Sequence, residues 1–242
     1  MPPAGDPRIP GTYHYQCEDT ANDYEETISA IGTAVAAYGK KFCVWGFGAK
    51  FEGITRHLFQ CGSSCEVHGV AGVLEAYRSV FKSDLTMSGP TVFDQVLQAA
   101  AARAHRYQVS HRHKKPGILL LSVVVVVLAN SNIYFIIQQN PADKLQYCIL
   151  LVITDGIMDH TEETRRKLDV YSSVPLSVIF VGVGRSDFQS MYQLCDSSCN
   201  RKITTFVEFR KHQHSATSLG RAALEYIPNQ VVEYMVNAGI NP

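Results

Sequence analysis

Ile149–Asp159 reads ILLVITDGIMD: five apolar residues, then a threonine, an aspartate and a glycine. A run this apolar, extended backwards by LQYC from Leu145, predicts a strand buried on both faces, as in a parallel sheet covered by helices. Ligands of such sheets bind beyond the carboxyl ends of the strands, so Asp155, directly after Thr154, is a candidate functional carboxylate. The plainer reading is a turn whose aspartate caps the next helix.

Working outward, the pattern alternates. NDYEETISAIGTAVAAYG places Ile28, Ile31 and Val35 at helical spacing, with Asn22 and Glu25 as a capping box and Gly39 as the stop. KFCVWGFGA predicts a buried strand ending in glycines, and ITRHLFQ a short edge strand. VAGVLEAYRSVF returns to helical period, and after the turn MSGP an alanine-rich helix is expected from Thr91 to about Tyr107. Beyond the Asp155 strand come a helix in TEETRRKLDVYSS, a strand in LSVIFVGVG, a short helix in SDFQSMYQLC and a strand in ITTFVEF. The tail is helical on both sides of a break at Pro228. Strands and helices in alternation predict an α/β fold, a doubly wound, mostly parallel sheet with helices on both faces.

Composition narrows the function. The formal net charge is zero over 242 residues, and the one basic run, HRHKK from His111, is short, so no nucleic-acid footprint is present. MPPAG at the start lacks the charged and apolar regions of a secretory signal. The seven cysteines are odd in number, and the C-x3-C pairs Cys61/Cys65 and Cys195/Cys199 do not have zinc-knuckle spacing. A reduced, cytoplasmic protein is expected, with membrane association as an alternative. Neither GFGAKF nor GVGRSDF completes a dinucleotide fingerprint, and their glycines are read as tight turns. No P-loop and no Gly-x-Ser-x-Gly elbow occurs, and the histidines, including His212 and His214, are read as solvated. The chain is therefore expected not to be an enzyme.

Six stretches together, VWGFGAKF, GVAGVLEAYRSV, SGPTVF, LLVITDGIMD, LSVIFVGVG and ALEYIPNQVVEYMVNAGINP, resemble the von Willebrand factor A-type domain of the copines. The resemblance covers nearly all of residues 1–242 as one domain, apart from an apolar insertion at about 114–144. It implies a Rossmann-like A-type fold and a non-enzymatic, protein-binding module. It also implies a metal-ion-dependent adhesion site in which Thr91 of SGPT and Asp155 of ITDG are ligands, with Ser88 behind them. The Asp-x-Ser/Thr-x-Ser loop after the family's first strand has no counterpart; Asp6 in GDPR falls downstream of its place. The domain is thus expected to lack its first strand, and magnesium, or another hard divalent cation, to bind weakly or not at all. Partner binding would then depend little on magnesium or on Asp155. Copines as a family bind phospholipid in a calcium-dependent way through separate N-terminal modules, which this sequence does not show. Plant ubiquitin ligases with a copine-like domain share several of these motifs, and a regulatory domain of that kind without the RING is an alternative.

The insertion, KKPGILLLSVVVVVLANSNIYFIIQQNPADK, admits three readings. Gly117–Ile137 carries no charge and has the length of a membrane span, which would make the protein membrane-attached. It would also put Thr91 and Asp155 on opposite sides of the membrane. Five consecutive valines favour a strand instead, one that could fill the central slot of the missing first strand and offer Asn130, Ser131 and Asn132 to the crevice. The third reading is an extra segment packed loosely on the domain, with no role of its own.

Overall fold

In the computed structural model, the described residues are 20–36, 39–51, 53–56, 58–87, 93–111, 119–127, 145–155, 161–196 and 201–240. Along the chain, helix α1 (Asp23–Val35) precedes strands β1 (Lys41–Phe42), β2 (Val44–Gly46), β3 (Ala49–Phe51), β4 (Ile54–Arg56), β5 (Phe59–Gln60) and β6 (Val67–His68). Then come α2 (Gly69–Val80), β7 (Thr86–Met87), α3 (Asp94–His111), β8 (Leu119–Val127) and β9 (Leu145–Thr154). The last part holds α4 (Thr161–Tyr171), β10 (Leu176–Gly182), α5 (Gln189–Cys195), β11 (Thr204–Glu208), α6 (Ala216–Leu224) and α7 (Ile227–Asn237).

The main sheet has six strands in the order β11-β10-β9-β8-β2-β5. All neighbours pair in parallel except β5, the antiparallel edge next to β2. The period of two along β9 divides the core. Tyr147, Ile149, Leu151 and Ile153 face one layer, with Ile28 and Ile31 of α1, Tyr77 of α2, Leu219 of α6 and Tyr234 of α7. Cys148, Leu150 and Val152 face the other, with Leu97 and Ala100 of α3, Leu168 of α4 and Met191 of α5. Helices therefore cover both faces, as the apolar runs require: Ile149–Ile153 are 0% exposed throughout, so no register of β9 could leave one side wet.

The valine run is the strand β8. It pairs with β9 over nine residues, from Leu119 with Leu145 to Val127 with Ile153, and with β2 at Val44–Val125 and Trp45–Val126. It thus lies between β9 and β2, in the interior of the sheet. This corrects both the membrane-span reading of Gly117–Ile137 and the reading of a loosely packed appendage. β-branched valines favour extended backbone over helix, and strands β9 and β2 pair with this one on its two sides. Among the described residues, no helix is long and apolar enough to cross a membrane. Asn130, Ser131 and Asn132 lie outside the described residues.

Local expectations fared unevenly. The capping box is present: the Glu25 amide donates to Asn22 Oδ1 at 2.9 Å, and the Asn22 amide donates to Glu25 Oε2 at 3.3 Å. KFCVWGFGA is not one strand; it is interrupted at Cys43, and β1 pairs antiparallel with β6. ITRHLFQ is likewise two pieces: β4 joins β3 and β7 in a small separate sheet, and β5 forms the main sheet's edge. The alanine-rich helix starts at Asp94 rather than Thr91 and runs on to His111. The tail is helical on both sides of a break, as expected; the break falls at Glu225–Tyr226, and Pro228 sits in the first turn of α7, where its missing N–H would have no partner in any case.

Candidate functional site

Strand β9 carries its apolar row to the carboxyl edge of the sheet, and the chain turns there. The Thr154 carbonyl accepts from the Val183 amide at 2.8 Å, which ties the end of β9 to the end of β10. Asp155 follows and is buried, with 4% of its surface exposed. Its backbone carbonyl accepts from Ser186 Oγ at 2.5 Å, but its Oδ2 is buried without a hydrogen-bond partner. Burial holds the carboxyl well above the usual carboxylate range, and its own backbone amide offsets only part of that. A buried acceptor left unmade costs about 1–3 kcal/mol, so the fold retains this oxygen against its own stability.

The surroundings of Asp155 are built from both sides of the sheet. Tyr77 of α2 is fully buried, its hydroxyl accepts from Asn22 Nδ2 at 3.2 Å, and the Asp155 charge adds to the burial that raises its phenol. Arg78 donates to the buried Glu25 carboxylate at 2.6 Å, locking the start of α1 to the end of α2. Gly48 and Gly184 have φ of +72° and +83°, so both glycine-rich stretches make the tight turns read from them. Gly182 is packed differently: a Cβ there would lie 2.8–2.9 Å from the rings of Phe188 and Phe206.

The small sheet β4-β3-β7 follows the end of β2 in the chain, and Ile54, the first residue of β4, is 58% exposed. Its strand β7 ends at Met87, and Phe93 packs against Phe47 and Phe180 with ring centroids 5.4 and 5.5 Å away. Thr91 and Ser88 themselves lie outside the described residues, so Asp155 is the one expected site residue whose surroundings are described. Among the described residues, no group of three His, Cys, Asp or Glu side chains could hold a metal ion. Sequence reading missed Ser186 and Tyr77. Ser186 sits in GVGRSD, whose glycines read as a tight turn and whose serine carries no signal of its own, and Tyr77 looks like any apolar position of α2.

Burial pushes the thiols of Cys148 and Cys195 up to about 12 and that of Cys61 well above its ordinary value, so all three stay protonated. His212 shares a 2.8 Å hydrogen bond with Ser218 Oγ beside the start of α6.

The family model described as Copine matches residues 12–127 and 122–242. The chain is 31% identical over 256 residues to "Protein BONZAI 2" of Arabidopsis thaliana, covering 98% of this chain and 38% of that protein. It is 31% identical over 248 residues to "Copine-C" of Dictyostelium discoideum, covering 96% of this chain and 40% of that protein. "Protein BONZAI 1" of Arabidopsis thaliana is 29% identical over 256 residues, with 98% and 39% covered. The chain therefore spans roughly two fifths of the length of these relatives.

Proposed function

The chain belongs to the copine family, and from that premise we propose that it is a non-enzymatic, protein-binding module acting at the carboxyl edge of its sheet. The observation that carries this reading is the orphaned Oδ2 of Asp155. It is a buried polar atom held at a cost, and together with its place at the carboxyl end of β9 it supports reading that edge as the functional one. In the family's adhesion site such a carboxylate is one metal ligand among several. Thr91 and Ser88, the other site residues the family resemblance implies, lie outside the described residues, and burial raises the Asp155 carboxyl. Magnesium requires near-octahedral oxygen ligation and gives up water reluctantly, so a carboxyl with few oxygen partners is a poor fit. In this reading magnesium binds weakly or not at all, and partners are held by the rim, where Ile54 stands exposed on its hairpin.

A retention assay with the immobilised domain tests both parts. Ile54→Glu is expected to lower the amount of retained protein at least tenfold. Val170→Glu, an equally exposed position near the end of α4, is expected to leave it unchanged. Chelation of divalent ions and Asp155→Ala are each expected to change retention less than twofold. A large loss on chelation would reject weak metal binding, and an unaffected Ile54→Glu would reject the rim as the contact surface.

A further inference from the structure

We draw no further inference here: the strongest candidate, the apolar groove of about 980 Å³ between α1 and α6 lined by Ala30, Ala34, Leu219 and Gly220, is an unpartnered face, and nothing in the structure shows what covers it.

Discussion

Two buried ionisable residues sit at opposite ends of the same sheet, and the fold treats them in opposite ways. Arg201, 2% exposed, lies at the amino ends of β9 and β10. All five of its N–H groups have acceptors. Nε donates to the Ser172 carbonyl, Nη1 to Tyr147 Oη and the Gln230 carbonyl, and Nη2 to the Val174 and Leu176 carbonyls, all between 2.7 and 3.1 Å. Its guanidinium also stands 5.5 Å from the Tyr234 ring centroid and 6.0 Å from that of Tyr147. Asp155 at the carboxyl end has a buried oxygen without a hydrogen-bond partner, and among the described residues no cation offsets the burial that raises its carboxyl. A saturated charge joins elements together, whereas an unsaturated one taxes the fold. In the function proposed above, the end held by Arg201 serves stability and the end that carries Asp155 serves recognition.

Arg201→Met breaks the first half of that comparison. It removes five donors at the junction of the α4–β10 turn, β10, β9 and α7, although the Val174 carbonyl keeps the Leu176 amide and Tyr147 Oη keeps Ser177 and the Leu176 carbonyl. Losing the hydrogen bonds of a buried charged group costs about 1.5–3 kcal/mol each, so a loss of at least about 3 kcal/mol is expected in urea titration. For a chain of this size that lowers the thermal midpoint by roughly 6–12 °C. A loss below about 1 kcal/mol would mean that Arg201 is not the joint described here.

Gly182→Ala probes the packing of the carboxyl end, where Gly182 pairs with Thr154. Its Cβ would enter the contact of Phe188 with Phe206, whose centroids are 5.4 Å apart, and overpacking of this kind costs about 1–3 kcal/mol. The same denaturation measurement checks it, and an unchanged midpoint would show that the two rings yield freely.

Asp155→Asn is the smallest change and has the opposite sign. The carboxyl is held above its unfolded value, so between the ordinary carboxylate range and the raised one the folded chain binds more protons than the unfolded chain. Stability therefore falls as pH rises through that window. The asparagine variant is expected to melt a few degrees above the parent at pH 7. The advantage should vanish below about pH 4, where both states of the parent hold the proton. Thermal melts across pH check this; a variant less stable than the parent at pH 7 would show that the ionised carboxylate is satisfied in the fold.

Much of the fold was legible because its signals are local. The capping box of Asn22 and Glu25 and the apolar run of β9 each involve a few adjacent residues. The fragments β1 to β7 were harder, because two- and three-residue strands exist only through their partners, as Ala49 does between Arg56 and Met87. Of the site, Asp155 was visible from its place at a strand end. Its orphaned oxygen was not, since being unpartnered depends on every element packed around it. Arg201 gave no signal at all: a lone arginine before the last strand looks like any surface cation, and its acceptors come from four other parts of the chain.

By itself the sequence determined the alternation of helix and strand, the burial of both sheet faces and the position of Asp155 at an edge. Period, caps and turn glycines act over short distances and can be read in order. Only the tertiary structure decided where the valine strand goes. Its residues demand extended backbone and burial, but a span-length apolar run satisfies those demands in more than one way. The choice fell to pairing: β8 finds β9 on one side and β2 on the other, and a strand in the interior of a sheet leaves no edge to satisfy.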